Sequence, residues 1–215
     1  QQELELQMEL AAILMDTTGY ASVAAEQAYA RALALSAQVE KSAQLFPILW
    51  ELHEVYLFQS KYDQSRALAD QCLDLAEQLQ DPDLLLQAHH ALWAVLAHLS
   101  PDELPLALSH AQAGIARYDP AQHHAHTFHY GGHDPGLCCH QIAAQTLWLL
   151  GYPAQSRQVG QAALQLGYQL DHPLNLAFIL INIASLHILY READRVAELT
   201  AAAITIAIER KFRRT

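Results

Sequence analysis

Six histidines crowd one stretch of this 215-residue chain: His123, His124, His126, His129, His133 and His140, interleaved with Asp119, Asp134, Cys138 and Cys139. Imidazole, thiolate and carboxylate are the donors zinc prefers, and His129 with His133, or His133 with Cys139, could converge on an ion. Structural zinc sites ordinarily show short ligand pairs in two separated clusters. Here only His129/His133 has such spacing, and Gly131-Gly132 interrupts it. The same residues also spell an ordered connector closed by the glycines, with Asp134 capping the next helix and Pro135 at its first position. A metal or small-molecule sensor over 119–140 and a plain connector over 118–134 both remain open on these residues.

The dipeptide His133-Asp134 invites comparison with the His-Asp ligand pair of all-helical metal phosphohydrolases. That chemistry needs further ligands on neighbouring helices, and Pro135 puts this pair at a helix start instead. No GxxxxGK[ST] loop, GxGxxG turn, GxSxG elbow or HExxH helix occurs, which removes the common nucleotide, hydrolase and metalloprotease chemistries. The expectation is a chain that is not an enzyme and uses no cofactor.

With 12 Lys+Arg against 23 Asp+Glu, the net charge is −11. Such a molecule repels nucleic acid phosphates and anionic lipid, so neither is an expected partner. Arg191, Arg195, Arg210, Lys211, Arg213 and Arg214 gather near the C-terminal end, where cations favour a helix dipole. Three cysteines, two of them adjacent, make no disulfide framework, and no signal peptide opens the chain, so a cytoplasmic location is expected. Pro173 to Tyr190 lacks charge but holds Asn175, Asn182, Ser185 and His187, which suits a buried helix better than a membrane span. The chain starts without Met and ends on Arg213-Arg214-Thr215, as a segment of a longer protein would.

The elements that must position these residues show in the spacing of small side chains. Triplets at i, i+4, i+7 occur as Ala25/Tyr29/Ala32, Ser65/Ala69/Cys72, Ala107/Ala111/Gly114, Ser156/Gly160/Ala163 and Val196/Thr200/Ala203. All but Tyr29 and Val196 are Ala, Gly, Ser, Cys or Thr, and the last members lie 40, 42, 49 and 40 residues apart. Small residues at that period let two helices approach closely. Ahead of each triplet runs an apolar segment with helical periodicity: Leu4–Met15, Leu45–Phe58, Leu84–Leu99, Leu137–Leu150 and Leu174–Tyr190. Turn residues separate the segments, with Asp-Pro or His-Pro at 81–82, 119–120 and 172–173 opening new helices.

The expectation is an all-α, right-handed solenoid of about five helix pairs with a pitch of roughly 40 residues. The pairs fall near 1–40, 44–80, 82–117, 135–170 and 173–212, forming a single domain over 1–215. Ala32, Cys72, Gly114, Ala163 and Ala203 mark the repeat.

Ala143-Ala144 and Leu147 before Ser156, and Ile183-Ala184 and His187 before Val196, resemble the tetratricopeptide (TPR) pattern. The pitch is longer than usual, and Tyr29 and Val196 are bulky for their places. Three strings carry a further likeness: Leu84-Leu85-Leu86-Gln87-Ala88-His89-His90-Ala91-Leu92; Tyr118-Asp119-Pro120 with Tyr130-Gly131-Gly132-His133-Asp134-Pro135-Gly136; and Leu147-Trp148-Leu149-Leu150-Gly151-Tyr152-Pro153. Together they resemble the C-terminal TPR-like region of large bacterial signalling ATPases linked to adenylate/guanylate cyclase or protein kinase domains, over roughly Leu84 to Phe212. In that family the glycine-rich string is a connector, and the region follows a nucleotide-binding switch domain. The resemblance implies a regulatory, partner-sensing arm and implies nothing about catalysis by this segment.

Helical repeats of this kind bind along a concave face lined by the first helix of each pair. The register of the triplets puts Trp50, Glu54, His89, Cys138, Gln141, Gln145, Trp148, Phe178 and Ser185 on or near that wall. Rings beside amides and one carboxylate suit a peptide or a partner helix. The expected partner is a protein or peptide, or an upstream ATPase domain of the same polypeptide, and self-association is compatible with the same surface.

Overall fold

A computed structural model describes residues 2–36, 44–128 and 130–210, the Phe128 side chain apart. Helices fill nearly all of it, with no strand among the described residues. They are α1 (Gln2–Thr18), α2 (Val23–Ser36), α3 (Leu45–Phe58), α4 (Tyr62–Leu79), α5 (Pro82–Leu99), α6 (Leu104–Arg117), the short α7 (Pro120–His123), α8 (Pro135–Leu149), α9 (Pro153–Gln169), α10 (Pro173–Leu189) and α11 (Ala193–Glu209). Ten of these are the expected helices, and α7 with a 3-10 turn at His124–Phe128 lies in the connector. No helix among the described residues is long and apolar enough to cross a membrane.

The helices sort into two compact units, 1–103 and 104–215. In the first, α1 packs on α2, α3 on α4, and α5 on both α4 and α3. In the second, α6 packs on α8, α8 on α9, and α10 on α11, while α8 and α10 run side by side. This is the layering of TPR-like helix pairs.

The small residues make that layering close. All three members of the first four triplets are buried, whereas Val196 and Thr200 of the last are half-buried. A Cβ on Gly167 would meet Ile179 Cγ2 at 2.6 Å, so α9 and α10 approach to a distance only glycine permits there. Ser156 Oγ donates to the Ala144 carbonyl (2.6 Å), and Ser65 Oγ donates to that of His53 (3.2 Å), each twelve residues back on the paired helix.

Helix starts follow the turn chemistry. Asp81 accepts from the N–H groups of Asp83 and Leu84, Asp119 from Ala121, and Asp134 from Leu137, each with proline at the first helical position. At α10 the cap is His172, whose Nδ1 accepts from Asn175 N–H.

Between the two helices of a pair the backbone turns a left-handed corner at Gly19, Ser60, Gly151 and Arg191, with φ of 95°, 59°, 86° and 60°. After the Ser60 corner, Lys61 reaches back to Glu26 on α2 (2.8 Å). After the Arg191 corner, Glu192 reaches back to Arg157 on α9 (2.8 Å).

Candidate functional site

The first helices of the pairs carry the residues that repeat register marks as wall-lining, and each unit presents its own set. On α10, Leu174, Phe178, Ile181, Ser185 and Ile188 follow one another at helical spacing and form a single stripe. Ile181 is 54% exposed and Ile188 61%, while Phe178 is partly covered by the ring of His133 stacked 4.0 Å away. Beside it on α8 stand Gln141, Gln145 and Trp148, all half-buried, and the exposed Leu149. Trp148 meets the Tyr190 ring edge-on at 4.9 Å. Cys138, also on α8, is buried.

In the first unit the corresponding residues lie deeper. Trp50 is fully buried, its indole N–H donating to the Gln87 carbonyl on α5 (3.3 Å), so it ties α3 to α5. Four residues on, Glu54 is 8% exposed. His89 on α5 is half-buried.

Two buried polar clusters accompany these walls. In the first unit, His53 Nδ1 lies 3.1 Å from the Ser65 carbonyl and 2.8 Å from its hydroxyl. A carbonyl only accepts, so Nδ1 carries the proton and Nε2 turns its lone pair toward Glu54 Oε1, 3.8 Å away. Burial presses His53 down to about 4 and lifts Glu54 to about 7. Burial likewise lifts Glu51 to about 8, helped by the charges of Glu54 and Asp16. The His53–Glu54 approach is therefore no ion pair at neutral pH.

In the second unit Asp134, wholly buried, is the hub of the connector. Its Oδ2 accepts from Tyr118 Oη (2.7 Å) and faces His124 Nδ1 (2.9 Å), and its Oδ1 accepts from Leu137 N–H (3.1 Å). The Asp134 N–H donates to Asn175 Oδ1 (3.1 Å), and Asn175 Nδ2 donates to Thr127 Oγ1 (3.4 Å). A Cβ on Gly136 would fall 2.5 Å from the Tyr118 ring, which lies directly over it. Burial and the Asp134 charge raise the Tyr118 phenol above its ordinary range.

Among the described residues no three His, Cys, Asp or Glu side chains converge as a metal site. Cys139 is fully buried, His133 is stacked on Phe178, and His129 lies outside the described residues. A further cavity of about 320 Å³ lies among α9, α10 and α11. Its arginines are already paired, Arg157 with Glu192 and Arg195 with Glu198.

Sequence reasoning placed Glu54 on the wall but missed Glu51 and His53 beside it, and it missed the α10 stripe beyond Phe178 and Ser185. Position within the repeat was the available signal. Twelve residues before Ser65, Ser156 and Val196 stand His53, Ala144 and Ala184, so an imidazole occupies a place that the fourth and fifth repeats keep small. The next residues along are Glu54, Gln145 and Ser185.

The fold and its walls define the class: a TPR-like helical-repeat protein. Two solved structures share that fold, each aligned with 98% of this chain. One is a Rap protein complexed with competence and sporulation factor (TM-score 0.79, 13% identity, 55% of that chain covered). The other is a kinesin light chain of Podosopora anserina with nearly identical TPR-like repeats (TM-score 0.68, 14% identity, 97% covered). No family model matches the sequence. An uncharacterized protein of Rhizobium meliloti (strain 1021) is 29% identical over 148 residues, 66% of this chain, and the match spans only 14% of that relative's length.

Proposed function

We propose that the chain is a non-catalytic protein-interaction and regulatory module of a bacterial multidomain signalling protein, working in the cytoplasm and holding a peptide or partner domain on the wall of first helices. The α10 stripe carries this reading. A helix already packed on α8 and α11 has no packing reason to keep isoleucines at 181 and 188 in water, and an apolar stripe rimmed by amides suits a peptide or helix. The upstream ATPase domain implied by the sequence strings is the partner within the same polypeptide. The far greater length of the Rhizobium relative and the complexed state of the Rap neighbour support an arm that binds within a larger system.

A displayed random-peptide library panned against the full chain tests this. Wild type should enrich a shared motif, and Ile181→Asp or Trp148→Ala should lower capture about tenfold, the loss of one well-buried apolar contact. Failure to enrich any motif, or equal enrichment by all three proteins, overturns the assignment of this wall.

A further inference from the structure

The first unit holds a buried acidic group that its own fold leaves unsatisfied. Glu51 and Glu54 stand one turn apart on the same face of α3. Among the described residues no donor hydrogen-bonds the Glu54 carboxyl. Its nearest polar neighbour, His53 Nε2, is wholly buried, 3.8 Å away and itself without a hydrogen-bond partner. The Glu54 carboxyl and the His53 imidazole nitrogen thus stand side by side beyond bonding distance, two acceptors facing each other. A buried acceptor nitrogen without a donor is costly to leave so, and a donor arriving from outside would satisfy it together with the carboxyl beside it. Lys61, on the neighbouring turn, is held by Glu26 at 2.8 Å.

We propose that Glu51, Glu54 and the Nε2 of His53 form a subsite for the guanidinium or ammonium group of a basic side chain carried by the peptide partner. Only a cationic donor both feeds the lone pairs and neutralises the carboxylates, and the chain's net charge of −11 steers such a ligand inward. The aromatic rim fits the aliphatic stem of that side chain, since Tyr20 and Phe58 lie 4.8 Å apart beside the carboxyls whose charges Tyr20 senses. In the sister repeats the position of Glu54 holds Gln145 and Ser185, so the preference for charge belongs to the first unit.

Binding is linked to protons. The groups facing the pair are Asp16 on α1, Tyr20 on the turn after it, Tyr29 on α2 and His53 on α3. From α4 comes the neutral Ser65 behind His53, and from α5 comes His90, edge-on to Trp50. Glu51 and Glu54 are lifted to about 8 and about 7, so near pH 6.5 they hold protons that an arriving cation displaces into solvent. Affinity for a basic ligand rises with pH from 6 to 8.

This subsite rests on the peptide-binding reading, and the test separates the two. Arrayed hexapeptides with a fixed arginine, lysine, citrulline or glutamate among randomised positions are probed with the full chain at pH 6 and pH 8. Arginine and lysine sets should be retained about tenfold above the isosteric citrulline set at pH 8, and less so at pH 6. Glu54→Gln copies the shape of the protonated carboxyl and keeps the fold, and with Glu51→Gln it should erase the preference while overall retention persists. Retention without cationic preference, or a preference that survives both substitutions, overturns the subsite alone. No retention of any set overturns the functional reading and the subsite with it.

Discussion

Two buried carboxyls, one in each unit, meet opposite fates. Asp134 gathers the Tyr118 hydroxyl, the Leu137 N–H and the His124 ring, and its own N–H is taken by Asn175. Among the described residues Glu54 meets only a histidine nitrogen beyond bonding reach. The first is a staple that fixes the extra residues of the longest repeat against α6, α8 and α10. The second is held in place by packing and keeps its bonding capacity for something else. Burial alone thus does not tell a structural acid from a ligand-facing one, whereas the number of donors does.

Removing the staple should have the largest effect. Asp134→Ala strips a helix cap and leaves the Tyr118 hydroxyl and Leu137 N–H unmatched in the interior, at a cost of about 3 kcal/mol. Urea unfolding followed by circular dichroism reads it; a loss below about 1 kcal/mol would mean that water replaces the hub freely.

Glu54→Gln should do the reverse, in a pH-dependent way. The raised pKa of Glu54 means that the folded chain keeps a proton which the unfolded chain has released, so stability falls as pH climbs from the ordinary value of 4.5 through about 7. His53, held near 4, pulls oppositely, but only below about 6.5, where the unfolded imidazole charges. Above that pH the carboxyls act alone. Wild type should lose stability between pH 6.5 and 8.5, and Glu54→Gln should recover up to about 3 kcal/mol at the upper end and little at pH 5. Melting curves at the three pH values check it, and a parallel drop in both proteins would remove the contrast with Asp134.

The smallest effect sharpens the hub. Tyr118→Phe keeps the ring over Gly136 and deletes one donor, costing about 1–2 kcal/mol in the same urea experiment, against no measurable change if His124 and Leu137 suffice.

Much of the framework was legible beforehand because it depends on local rules. Asp81, Asp119 and Asp134 precede prolines and cap helices as such pairs should, and the buried triplets mark where helices nest. Asp134 could be read as a cap, but its partners Tyr118, His124 and Asn175 lie 10 to 41 residues away and come together only through the fold. Trp50 and Glu54 share a stripe on α3, and periodicity cannot say that the indole turns toward Gln87 while the carboxyl stops short of every donor among the described residues. Helical register settles which residues share a face; depth beneath that face depends on neighbours remote in sequence.

The corners between paired helices carry a mechanical consequence. Gly19 and Gly151 turn left-handed at no steric cost, whereas Ser60 and Arg191 do so with a Cβ, which loads each with about 1 kcal/mol. The two loaded corners are also the ones lashed to the preceding layer by an ion pair, Lys61 to Glu26 in one and Glu192 to Arg157 in the other, with the polarity reversed. Torsion and tether therefore occur together at these two corners, and because the tethers are partly open to solvent, rising ionic strength weakens both.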